Sequence, residues 1–290
     1  FSPMKQTIKP KCLKALAVCG VLSVSSIALH AQTDGQSIPQ RITTNSRMVG
    51  VGTTNILDTY LSPEEYHGTD IRYISHTLRQ REGKRMLQEI VHQGNIAYVD
   101  TRLGSGKELT GNYRFQYGWH YACRSWQWGR QELRLEAGVN MELALGFLYN
   151  TRNSNNPAQA YFSLSVLPMA AAEYLFPNPF HKNSQQRCCL RYALAVPIAG
   201  VMFSPNYGQA YYEIFSKGNY DHNIVPTYPG NAPSLTHRLT LDFPLLRTTC
   251  CIGYQGEYLQ SHVNELKRHS YTHTLLVGIV KTFKLTKVNR

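Results

Sequence analysis

Downstream of residue 31 the chain has no charge-free apolar run near the ~20 residues that a membrane-crossing helix requires, so the mature chain is either exported and soluble or spans a bilayer with strands. Acidic residues are scarce: 18 Asp+Glu stand against 30 Lys+Arg, a net charge of +12. Four of those charges, Lys5, Lys9, Lys11 and Lys14, precede residue 32 and leave +8 on the rest. No Lys/Arg run, zinc-ligand spacing or RNA-binding motif accompanies the excess, so no nucleic-acid partner is expected, and anionic lipid head groups account for the basic balance equally well. Cysteines at metal-ligand spacing are missing too. Beyond Cys12 and Cys19, the set Cys123, Cys188, Cys189, Cys250 and Cys251 is odd in number and includes two adjacent pairs. An odd set cannot all pair internally, and neighbours rarely bond to each other, so these read as small apolar residues at strand ends with neither a metal nor another cofactor expected.

Catalytic spacings are also lacking. A His and a Ser two apart would share one strand face and could act as base and nucleophile, but no His-x-Ser occurs. Ser75-His76 and His269-Ser270 are adjacent and fall on opposite faces of any strand. There is no Asp-x-Asp and no Asp-x-His, and Asp221-His222 lacks the spacer. Gly104-Ser105-Gly106-Lys107 lacks the leading Gly and the following Ser/Thr of a phosphate loop. The expectation is that the protein is not an enzyme.

What the sequence has in abundance is alternation. Tyr113, Phe115, Tyr117, Trp119 and Tyr121 interleave with Arg114, Gln116, Gly118 and His120, which predicts a strand with one aromatic face and one polar face. In 131–149, Leu133, Leu135, Ala137, Val139, Met141, Leu143, Leu145 and Phe147 oppose Arg134, Glu136, Asn140 and Glu142. A strand that long suits a tilted bilayer crossing, which itself takes ~9–11 residues. Similar segments recur at 47–61, 68–79, 86–101, 109–123, 159–176, 188–203, 234–246, 249–263 and 269–285, for ten strands in all. Pro168, Pro197 and Pro244 fall inside predicted strands and are expected at bulges.

Connection lengths supply a second line of argument. With the amino terminus inside, the long connections 150–158 and 204–233 fall outside, while the tightest turn, Arg247-Thr248, falls inside, as outer-membrane barrels require. Ahead of the strands, Met4 to Ala31 has a lysine-bearing start, an apolar stretch from Ala15 to Leu29 and a small residue at Ala31, which reads as a secretory signal peptide after an upstream remnant, Phe1 to Pro3. Residues 32–46 are polar and read as a flexible arm. The predicted fold is an all-β, antiparallel transmembrane β-barrel over 47–290 with ten strands, or twelve if 209–228 adds a hairpin. With Arg247-Thr248 as the turn, Arg238 should face Glu257; across the turn after Cys123, Arg114 should lie diagonal to Glu142 and His120 opposite Arg134.

On these residues the chain resembles the Gram-negative outer-membrane β-barrels. More narrowly, Thr59-Tyr60-Leu61-Ser62-Pro63-Glu64-Glu65-Tyr66, the aromatic strand and the segments to the carboxyl end resemble an uncharacterised family, a domain of unknown function from Bacteroidales-type bacteria, over about 46–290. The resemblance implies a barrel in the outer membrane of a Gram-negative bacterium, after cleavage near Ala31, with membrane lipid as partner and lipopolysaccharide as a candidate contact. It supplies no activity. Barrels of this kind usually finish on an aromatic residue, whereas here Phe283 is followed by Lys284 to Arg290.

The candidate site is the polar face: Arg114, Gln116, His120, Arg134, Glu136, Glu142, Glu173, Arg191, Arg238, Asp242 and Glu257. Barrels of about eight strands are filled by side chains and those of sixteen or more enclose a channel, so ten strands lie near the filled end. These charges therefore form either a paired plug or a narrow path for ions or small solutes. The second candidate is the external loop, with Tyr207, Tyr211, Tyr212, Tyr220 and Tyr228, whose side chains offer an apolar face and a polar tip to a partner. Rival readings are a lipid-active hydrolase and a binding or assembly module acting through 204–233.

Overall fold

The computed structural model describes residues 41–104, 106–152, 157–179, 186–245 and 248–285. The expected leader, its cleavage point and residues 32–40 of the expected arm lie outside them. Residues 41–46, expected in the arm, are strand, because β1 (Arg41–Asp58) pairs along its whole length with the last strand.

The chain then runs up and down as β2 (Ser62–Arg81), β3 (Met86–Thr101), β4 (Lys107–Trp128), β5 (Gln131–Asn150) and β6 (Ala158–Pro177). Next come β7 (Arg187–Ala195) and β8 (Ala199–Phe203), then the short helix α1 (Tyr211–Phe215) and β9 (Ile224–Thr227). β10 (Leu235–Leu245), β11 (Thr248–Val263) and β12 (Leu266–Leu285) complete the ring. Every pairing is antiparallel, and β1 with β12 and β5 with β6 close the sheet. β7 and β8 are two parts of one wall position, since both pair with β6. The barrel is therefore ten-stranded. The alternative hairpin at 209–228 is not formed, and α1 and β9 occupy that stretch instead.

The alternation selects which face turns outward. Val51, Ile71, Ile96 and Leu275 are each more than 60% exposed, whereas their neighbours Asp70, Arg72 and Thr274 are almost fully buried. Large apolar side chains outside and charge inside is the inverse of a soluble sheet and is the surface a bilayer accepts. Trp119, Tyr121 and Trp128 are exposed on the outside, and Trp126 is half-buried. The interior is not purely polar, however: Met48, Ile74, Val91, Cys251, Leu276 and Val280 form an apolar cluster within it.

The prolines are accommodated locally. Pro168 lies in an unbroken pairing with β5, so it is not at a bulge on that side. Its missing donor faces 196–198, where Val196 N donates to the Pro168 carbonyl and Pro197 separates β7 from β8. Pro244 stands beyond the last pair of β10 with β7, Asp242 with Cys189, so no ladder bond to β7 is lost there.

Two expected cross-strand pairs shift. Arg238 faces Gln255, and Glu257 faces Thr236, because Leu245 pairs with Thr248, two residues off the expected register; Arg247 of the expected turn lies outside the described residues. His120 faces Gly138, and Arg134 faces Ser125, because β4 does not end at Cys123 as expected but runs on to Trp128 and turns at 129–130, with a further one-residue displacement between Ala122 and Arg124. Arg114 is opposite Ala144 and hence diagonal to Glu142, as expected.

Candidate functional site

The inward-facing charges are joined across the lumen. In a ring of ten, β4 and β11 stand five places apart, on opposite walls. They are bridged where Arg114 donates through Nη1 to Glu257 at 2.7 Å and through Nη2 to Glu142 at 2.9 Å. Arg72 from β2 reaches the same Glu257 oxygen at 2.7 Å and Asp70 at 3.2 Å. Gln93 and Gln255 also donate to Glu257, and Gln116 donates to Glu142. One carboxylate thus gathers four partners from four strands, β2, β3, β4 and β11, which is how a buried charge is made tolerable.

Two further layers lie toward the end that carries the strand termini. Glu89 lies 2.7 Å from His76 Nε2, accepts from Asn140 Nδ2 at 2.6 Å, and is 3.3 Å from His120 Nε2. Below it, Arg191 pairs with Glu136 at 2.7 Å and with Glu173 at 3.3 Å, and Arg134 pairs with Glu173. Of the expected lumen residues, Arg114, Gln116, His120, Arg134, Glu136, Glu142, Glu173, Arg191 and Glu257 are joined in these layers. Arg238 and Asp242 also point inward, but among the described residues neither lies within ion-pair distance of an opposite charge. Asp242 is flanked on its rung by Cys189 and Cys251. Among the described residues no group of three or more His, Cys, Asp and Glu side chains is placed to hold a metal ion.

Sequence reasoning missed Asp70, Arg72, His76, Glu89, Gln93 and Gln255. Asp70, Arg72 and His76 share one phase of β2, but Ile74 occupies the same face and disguises the alternation.

The long connection at 204–234 packs over the end of the barrel opposite the start of β1 and the end of β12. Tyr60, in the turn after β1, donates to the Gln209 carbonyl at 2.9 Å and meets Tyr211 edge-on. Burial, with Tyr211 and Asp58 close by, pushes the Tyr60 phenol up to about 12. Burial likewise raises Tyr211 to about 12. Of the loop tyrosines, Tyr211 is thus packed inward, stacked on Phe215, whereas Tyr207, Tyr212, Tyr220 and Tyr228 remain exposed. Just beneath, Asp58 of β1 accepts from Tyr161 of β6 at 2.6 Å, again joining opposite walls, and the Arg268 guanidinium lies 3.2 Å from the centre of the Tyr161 ring.

Between this upper bridge and the Arg114–Glu257 layer is a cavity of about 140 Å³. Its floor is Arg72, Arg114, Glu142 and Glu257, and its walls carry Ser163, Ser165, Ser270 and Thr272. Its lining also includes Phe162, Tyr228 and Gln260, all exposed on the outside, and Pro197 at the interruption between β7 and β8.

Fold and lumen together define a closed ten-stranded barrel of the outer-membrane type. The chain belongs to the family described as protein of unknown function DUF3316, which matches residues 14–290. Among solved structures it is similar to the outer membrane protease OmpT from Escherichia coli, at 7% identity and a TM-score of 0.41, over 87% of this chain and 99% of that one. It is also similar to the translocator domain of the autotransporter NalP from Neisseria meningitidis, at 11% identity and a TM-score of 0.35, over 85% of this chain and 90% of that one. An outer membrane channel from Pseudomonas putida F1 matches at 9% identity and a TM-score of 0.32, over 87% of this chain and 100% of that one. No curated protein matches the chain.

Proposed function

We propose that this protein is an outer-membrane barrel whose lumen is sealed by its own side chains, so that it serves as a structural or binding element and does not conduct. The observation that carries this reading is the bonding of opposite walls at separate heights, Arg114 to Glu257 and Tyr161 to Asp58, with the apolar Met48–Ile74–Leu276 cluster nearer the termini. An ion entering would have to break charge-assisted bonds in a region of low dielectric, where each is strong. Refolded protein in planar bilayers is expected to give no unitary steps. Steady ion-selective steps that change on Arg114→Ala would overturn the proposal.

The same reading places the chain in the outer membrane of a Gram-negative bacterium of Bacteroidales type, exported by a leader cleaved near Ala31 and set in a leaflet where it meets lipopolysaccharide. It assigns no catalytic step: His120 is taken up by Asn140 and Glu89. Incubated with phospholipid vesicles, the refolded protein should release no fatty acid above a His120→Ala, His273→Ala control. The exposed Tyr207, Tyr212 and Tyr220 favour a second reading, in which the loop engages a protein partner at the cell surface. Co-purification of a partner lost on Tyr212→Ala would support it.

A further inference from the structure

The cavity beneath the loop is built differently from the lumen around it. Below it every carboxylate of the floor already holds an arginine, and Gln93, Gln255 and Gln116 take further acceptor positions. The wall groups are the reverse: among the described residues, the hydroxyls of Ser163, Ser165, Ser270, Thr227 and Thr236 engage no protein partner, although all five face the cavity. Hydroxyls both donate and accept, whereas a saturated ion pair offers an incoming charge no free counter-charge. The wall therefore suits a neutral ligand that itself carries many hydroxyls.

Size and access agree. A water occupies roughly 10–15 Å³ of such space, so the cavity admits about ten water-sized positions, the scale of one hexose. The entrance follows from an irregularity in the wall. On one strand Ala195 and Gly200 are five apart, while their partners Thr236 and Thr227 are nine apart. The four surplus residues fall within 228–234, which leaves the ladder in a turn and is tied to β11 only where His262 N donates to the Asn231 carbonyl at 2.7 Å and Gln260 N to Ser234 Oγ at 3.2 Å; β9 forms no ladder with β11, and Tyr228 stands exposed beside the cavity. At the roof the flat Arg268 guanidinium on Tyr161 supplies a planar donor for hydroxyl or ring oxygens.

We infer that this cavity binds a single neutral sugar unit, entering from the side at Tyr228. The sugar is either free or the head group of a glycolipid, and the site functions whether or not the lumen below it conducts. The test uses refolded full-length chain and saturation-transfer NMR with a panel of neutral hexoses, and, as a second arm, nanodiscs with and without a glycolipid bearing the same sugar. Saturable transfer is expected in one arm or both, and the arm identifies the source. A Ser163→Ala, Ser165→Ala, Ser270→Ala variant, verified as folded by its heat-dependent gel shift, should bind roughly tenfold more weakly or worse, the scale of three lost neutral hydrogen bonds. Lys217→Ala, in the loop and away from the cavity, should bind as the parent does. Absence of saturable binding in both arms overturns the inference, as does equal binding by the triple variant, or competition by inorganic phosphate, which would mark an anion site.

Discussion

Glu257 is the residue on which the largest lumen network depends, since Arg72, Arg114, Gln93 and Gln255 all donate to it. Removing one partner of a buried ion pair leaves the other charged and desolvated, at a cost of about 3–5 kcal/mol, and here two arginines would be stranded together. Glu257→Ala should therefore lower the urea midpoint of the refolded barrel markedly, whereas a substitution at the exposed Glu65 should change it little. Tyr60 and Tyr211 support a pH prediction. Their phenols are raised to about 12, so the folded state favours the protonated form. The stability they contribute is complete below the ordinary phenol value near 10 and is lost as pH rises through about 12. Hydrogen exchange over 204–223 should accelerate between pH 10 and 12 ahead of the barrel strands, and Tyr60→Phe should reduce that dependence. Acceleration of 204–223 relative to the barrel strands already at pH 8, beyond the base-catalysed rise common to all amides, would contradict the assignment.

Among the elements, the pairing of β4 with β5 shows how glycine permits a wall to close. A Cβ at Gly118 would lie 2.0 Å from Asn140 Oδ1 and 2.2 Å from the Val139 carbonyl, so neither strand nor side chain could stay in place. Asn140 is also the residue that donates to Glu89, so the effect would reach the lumen. Gly118→Val should abolish the heat-dependent gel shift, while Gly129→Ala, in an open turn, should retain it. The strands themselves were legible from residue alternation, to within six residues at the starts of β1 and β2, five at the end of β4, three at the end of β1 and the start of β12, and two or fewer at the other bounds. Register was less legible, because it depends on where each strand stops: β4 runs on past Cys123 to a turn at 129–130, which together with the one-residue displacement between Ala122 and Arg124 moves Arg134 away from His120.

For the molecule as a whole, the ring was legible because a period of two needs no knowledge of what lies across the lumen. The candidate site was legible only as a list of inward charges. Its layers join β2, β4 and β11, or β1 and β6, and such contacts depend on strand order and stagger, which the local pattern does not carry. The apolar interior at Met48, Ile74 and Leu276 further blurred the polar phase of β2. The orientation of the barrel follows from its asymmetry. The start of β1, the end of β12 and the turns at 82–85 and 129–130 lie at one end, and the 31-residue connection at 204–234, with α1, lies at the other. Short connections face the periplasm and long ones the exterior in barrels of this type. Single cysteines introduced at the exposed Asp221 and Lys84 into a background with Cys123→Ser test this with a membrane-impermeant maleimide. Asp221→Cys should react in intact cells, and Lys84→Cys only after permeabilisation. The reverse pattern would put the cavity opening at Tyr228 on the periplasmic side, where the glycolipid leaflet cannot reach it.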